Sequence, residues 1–204
     1  MSDRDRWLRM ALILVGLTAA YNALEAVIAL VAGVRAASIA LIGFGLDSVI
    51  ELAAALAVIY RMDAERRGAA HERVEHAERR VRHFVGWTFV LLAGYVTLEA
   101  GLGLWQREAP RESVLGLVLA AVSLTVMPAL AWGKLRTATA LGSRALAAEA
   151  KETLACAYLS ACLLLGLGLH AVLGWWWADP VAAIAMVPWL LHEAREAMED
   201  DPCH

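Results

Sequence analysis

The sequence predicts an all-α integral membrane protein of six transmembrane helices in three hairpins, and three observations predict it. Hydrophobic residues make up 60% of the 204 positions and charged residues 19%, with a mean hydropathy of +0.57; an ordinary soluble domain is far more polar. The apolar residues fall into six runs, each of about 20 residues or more, the length a helix needs to cross roughly 30 Å of hydrocarbon. Arginines and lysines then collect between alternate runs, as topology signals do. One bundle accounts for nearly the whole chain, so residues 1–204 are expected to form a single transmembrane domain. The net charge of -3 carries little information, because in a membrane protein the distribution of charge outweighs its sum.

The first run, about 7–34, follows the mixed charges of MSDRDRWLRM. It is much longer than a signal-peptide core and lacks a small-residue cleavage site, so a retained span is expected. The second, about 38–61, reads SIALIGFGLDSVIELAAALAVIY up to Tyr60 and carries Asp47 and Glu51 near its middle. Spaced four apart, these acids lie about 40° apart on one helical face. An ionised carboxylate at that depth costs roughly 2.5–3.5 kcal/mol on insertion scales, so the pair needs a partner or a function.

The third run, about 83–105, contains YVTLEAGLGL, an echo of YNALEAVIAL in the first. The fourth, about 113–133, opens on Ser113 as the second opens on Ser38. Read as a repeat, helices three and four are a degenerate copy in which Val122 and Val126 stand where Asp47 and Glu51 stood; a match this short and apolar also arises by chance. The fifth run, about 143–173, carries Glu152 and Cys156, and the sixth, about 175–195, begins at Trp175, Trp176 and Trp177, an aromatic belt for one membrane interface.

Basic residues set the orientation. Arg4, Arg6 and Arg9, the arginines of 61–82, Lys134, Arg136, Arg144 and Arg195 fall on one side, against Arg35, Arg107 and Arg111 on the other. The positive-inside rule makes both termini cytoplasmic. Helix two then enters from outside, and Asp47 lies about 13 Å down it. Helix five enters from the cytoplasm, with Glu152 about 12 Å and Cys156 about 18 Å up. Both pairs fall near the midplane with the same i, i+4 spacing. Four such donors, Asp47, Glu51, Glu152 and Cys156, suit a tetrahedral divalent ion such as zinc. The plainer alternative makes Cys156 a small buried apolar residue and pairs Glu152 with Lys151.

The segments ASIALIGFGLDSVIE, ALAAEAKETLACAYLS and WWWADPVAAI resemble the cation diffusion facilitator family, and the similarity spans all six helices, a CDF-like transmembrane domain. The resemblance implies a proton-coupled exporter of divalent transition-metal ions, usually zinc, that works as a homodimer by alternating access from an inner (plasma) membrane location. Members commonly place aspartate or histidine on helix two and a histidine with an aspartate on helix five. The matching positions here are Asp47, Glu51, Glu152 and Cys156, without histidine. Such a set also suits cadmium, cobalt, iron(II) or manganese, the thiolate favouring softer ions and the carboxylates harder ones. The chain ends shortly after helix six, so the family's cytoplasmic metal-sensing domain is expected to be lacking.

Metal and protons compete for the same carboxylate and thiolate atoms, which is the basis for expecting protons as the counter-ion. Glu25 and Glu99, each about 24 Å up its helix, and Asp179 at the outer start of helix six form an expected acidic exit vestibule, or else cap and bond neighbouring helices. Asn22, one turn from Glu25, is an accessory contact in the pathway or a helix-packing residue. Lys151 either snorkels to the interface or pairs with Glu152. His71, His76 and His83 in HERVEHAERRVRH, and Asp200, Asp201, Cys203 and His204 in the tail, are weaker metal candidates: the first group reads better as a helical extension at the lipid surface, and the second as an ordinary chain end.

Three cysteines, Cys156, Cys162 and Cys203, make a disulfide framework unexpected. Gly94, Gly101 and Gly103 permit close approach on helix three, and the resemblance suggests that helix for the dimer contact. The expected partners are a metal ion, lipid and a second copy, with no nucleic acid. Two other classes stay open: a non-transporting membrane partner with a vestigial metal site, and a membrane metalloenzyme. No span carries a histidine-rich cluster or a nucleophile with an evident base, so an enzyme is not expected.

Overall fold

The computed structural model describes residues 3–66, 71–107, 111 and 113–198. They form six helices, α1 (Asp3–Ala36), α2 (Ile39–Arg66), α3 (His71–Gln106), α4 (Val114–Leu141), α5 (Arg144–Leu173) and α6 (Ala178–Met198). The first five contain segments long and apolar enough to cross a membrane. The sixth spans 21 residues, with Asp179 near its start and Glu193, Arg195 and Glu196 near its end.

Local chemistry ends each helix where the chain must turn. Ala37 takes a left-handed conformation with φ 52°, while Ser38 N donates to Gly33 O at 3.0 Å, so α1 reverses into α2 within two residues. Close helix contact follows: a Cβ on Gly45 would lie 2.9 Å from Leu30 Cγ and 3.0 Å from Leu30 N. Gly142, at φ 63°, ends α4, and the Ser143 hydroxyl accepts from Leu146 N to begin α5. Gly174, at φ 67°, ends α5, and Trp175 stacks on Trp177 with centroids 4.8 Å apart.

Several helices outrun the apolar runs read from the sequence. The fourth was expected to stop near 133, with Lys134 and Arg136 in a cytoplasmic connection. Instead α4 continues two turns further to Leu141, because 134–141 holds no breaker before Gly142 and Thr137 Oγ1 donates back to Gly133 O at 2.8 Å. Lys134 is consequently a buried helical residue, not a topology-setting loop cation. The helix of the third run begins at His71, so HERVEHAERRVRH is the helical extension expected ahead of the apolar stretch Gly86–Gln106; the side chains of His71 and His76 lie outside the described residues, as does the tail from residue 199 onward.

Packing groups the helices differently from chain order. The pairs α1 with α2, α2 with α5, α5 with α4 and α4 with α1 all pack together and close a ring of four. The remaining pair, α3 with α6, packs along its length and borders α2 and α5. Among the described residues α3 and α4 make no comparable contact, so the echo between helices one and three does not extend to a second hairpin like α1–α2. A large apolar cluster around Leu41, Phe44, Val96, Met127 and Leu163 fills one part of the interior. A smaller one, Ala11, Val15, Ala19, Ala55, Ala138 and Leu146, fills the end beside the α4–α5 turn. Along α1, α2 and α5, buried polar side chains interrupt the apolar core between these clusters.

Candidate cation site inside the four-helix ring

On α2, the i, i+4 spacing of Asp47 and Glu51 turns both carboxylates into the ring, where they are 3% and 6% exposed. On α5, Cys156 has no exposed surface. One carboxylate oxygen from each acid and the Cys156 sulfur all lie within 4.8 Å of one another. No other group of three or more histidine, cysteine or acidic side chains converges in this way among the described residues.

The hydrogen bonds around this trio are incomplete. Asn22 Nδ2 donates to Glu51 Oε2 at 2.8 Å, while Glu51 Oε1, Asp47 Oδ2 and Asn22 Oδ1 are buried with no protein partner. Buried acceptors without donors are rare and costly. Three of them beside a thiol form an electron-rich pocket that a cation suits and another acceptor does not. Two carboxylates and one sulfur also span the hard and soft donor types.

Glu25 is closer to this trio than its sequence position implied. It accepts hydrogen bonds from Ser48 Oγ at 2.9 Å and Cys156 Sγ at 3.6 Å, and from Ser123 Oγ. Ser123 Oγ lies 2.6 Å from Tyr21 Oη. The outer-vestibule placement of Glu25 is thereby corrected: α1 has 34 residues, about 50 Å at 1.5 Å each, so a depth counted from its start overshoots. Counted back from Ala36, Glu25 lies about 16 Å in, beside the middle of α2.

The other expected residues divide. Glu152 is half-buried and stands outside the converging trio; it lies within electrostatic reach of Glu193, Glu149, Lys134 and Glu196. Asp179 accepts from Ser38 Oγ at 2.5 Å and Ile39 N at 3.0 Å, so it ties the start of α6 to the start of α2. Asp179 and Glu99 also line one cavity of about 250 Å³, with Tyr95 and Gln106. Lys151 is 64% exposed, its Nζ 3.9 Å from Glu196 Oε1, which removes it from the interior and from a pairing with Glu152.

Two features escaped sequence reasoning. Glu193 on α6 is buried and within electrostatic reach of both Asp47 and Glu152; the sequence reading gave it no role. The Lys134–Glu149 pair escaped because Lys134 was read as loop. The stripe Glu149, Glu152, Thr153, Cys156 on α5 was its available signal.

Residues 15–200 match the family model of a cation efflux transmembrane domain. The match covers nearly all of the chain, and the chain belongs to this cation efflux family, a family of transporters. No curated relative matches it. It is a multi-span membrane protein of a class that moves metal cations, and the buried Asp47, Glu51 and Cys156 occupy the interior of that transmembrane domain.

Proposed function

We propose that this protein exports divalent transition-metal ions, zinc foremost, from the cytoplasm in exchange for protons. Cadmium, cobalt, iron(II) and manganese fit the same mixed donor set. Asp47, Glu51 and Cys156 bind the ion, and Glu152, one turn along α5, completes the set. The observation that carries this reading is the convergence of donors from α2 and α5 within 4.8 Å, with Asp47 Oδ2 and Glu51 Oε1 left unpartnered.

Exchange follows from the donors themselves. A carboxylate or thiol binds a dication only after losing its proton, so loading releases protons and reprotonation expels the ion. Asn22 fixes one oxygen of Glu51, as outer partners orient metal ligands generally. Under the orientation read from the basic residues, the α4–α5 turn and both termini face the cytoplasm of the plasma membrane. The cavity lined by Glu99 and Asp179 then opens the outer half of the route. The protein works as a homodimer through the outward face of α3.

Flux assays in proteoliposomes test the reading. The unaltered chain is expected to carry zinc with opposing proton movement, and Asp47→Ala to abolish both. Full metal-driven proton flux in Asp47→Ala would show the reading to be wrong.

A further inference from the structure

Lys134 has no exposed surface. Its ammonium donates to Glu149 Oε1 at 2.6 Å and to Thr153 Oγ1 at 2.8 Å. Glu149 is itself buried, and its second oxygen, Oε2, has no hydrogen-bond partner. A buried ion pair costs much desolvation and is often no more stabilising than apolar residues of the same size. Packing does not require this one, since α4 and α5 are already joined through Gly142 and Ser143 and share the apolar cluster of Ala138 and Leu146.

The pair lies between the α4–α5 turn and the midplane donors. Glu149, Thr153 and Cys156 recur at i, i+4 and i+7, a single stripe of α5, and Glu149 lies about 10 Å from Cys156 toward the α4–α5 turn. Lys134 is within electrostatic reach of Glu51 and Glu152. A cation moving between that end of the ring and the midplane donors would meet a carboxylate already holding a positive charge.

We propose that Glu149 is a carboxylate station for divalent cations between the α4–α5 end of the bundle and Asp47, Glu51 and Cys156, and that the Lys134 ammonium is the tethered cation that holds it between transits. The inference rests on the transport function proposed above. The unpartnered Oε2 gives an arriving ion an acceptor before Lys134 leaves Oε1. Lys134 then withdraws on its flexible stem, a movement suited to an ammonium and not to the planar fork of arginine. Selection follows from charge. A monovalent ion brings no more charge than the ammonium it displaces, whereas a dication doubles the Coulomb attraction to the same carboxylate. When the ion moves on to the midplane donors, the returning ammonium repels it from behind.

The test compares Glu149→Gln with the double variant Lys134→Met/Glu149→Leu in proteoliposomes, using zinc for flux and cadmium, through its thiolate absorption band, for equilibrium binding at Cys156. Glu149→Gln is expected to slow flux by about tenfold or more, the scale of one lost charge-assisted contact on a rate, while cadmium binding stays within about twofold. The double variant, whose apolar pair preserves burial, is expected to bind cadmium and remain as slow as the single one. Unchanged flux in Glu149→Gln overturns the station, as does an equal loss of binding and flux. Restoration of flux in the double variant overturns it too, because a merely structural pair is replaceable by apolar side chains. Absence of Asp47-dependent flux in the unaltered chain would overturn the transport function, and the station with it.

Discussion

Asn22 Nδ2 on α1 donates to Glu51 Oε2 on α2 at 2.8 Å, leaving Glu51 Oε1 and Asn22 Oδ1 without partners. One carboxylate oxygen is thus oriented by a neutral amide, and its twin is available to an ion. Asn22→Ala should weaken zinc binding by roughly 10-fold, the low end of the loss seen when an outer-shell partner of a metal ligand is removed. A competitive titration of the purified protein against a zinc chelator measures the change. Unaltered affinity would mean that the amide serves packing only.

Cys156 supplies the sole sulfur of the converging trio. Cys156→Ser keeps its size and replaces the soft donor with a harder oxygen, so cadmium affinity should fall more than manganese affinity. Titrating both ions into the same preparation checks this, and the cadmium-thiolate absorption band should disappear.

Ion binding should release protons, with a definite sign. Below the pH at which the donors deprotonate, protons hold the site and affinity is low; as pH rises, the ion replaces them and affinity grows. Isothermal titration in two buffers of different ionisation enthalpy reads the number released. A value of zero would contradict competition between metal and protons.

The sequence made the helices legible because apolar length and basic connections act over whole segments, the pairing of Asp47 with Glu51 legible because i, i+4 spacing survives folding, and the approach of Cys156 legible because counting along helix five sets it level with them. It did not reveal which neighbours those residues would have. Glu25 was misplaced because α1 is longer than a membrane crossing, and its bond to Ser123 joins residues 98 apart in the chain. Lys134 was misassigned because a cation after an apolar run ordinarily marks an interface; its contacts with Glu149 and Thr153 make burial tolerable. Glu152 had the right spacing, yet it stands outside the trio.

Glu25 holds three helices to its own through Ser48, Ser123 and Cys156. Ser123→Ala removes one donor to a carboxylate that is 1% exposed and should reduce stability by about 1–3 kcal/mol. Thermal unfolding in detergent measures it, with Thr125→Ala, at an exposed hydroxyl that bonds Ala121 O, as the neutral comparison.

Gly94 and Gly101 on α3 are exposed, and an added Cβ at either meets no atom within 4 Å. Gly94→Leu should therefore leave the protomer folded while separating the proposed dimer. Light scattering in detergent distinguishes one copy from two. A dimer that survives Gly94→Leu and Gly101→Leu together would exclude this face as the contact.

The ring formed by α1, α2, α5 and α4 also bears on which exits an ion would have. With Asp47, Glu51 and Cys156 buried inside it and the outer faces apolar, an ion held there as proposed would be barred from sideways escape into the bilayer and would have to leave lengthwise. The transport proposed above would then require helices to spread at one end of the ring, with the α3–α6 pair packed beside α2 and α5 as the adjoining body.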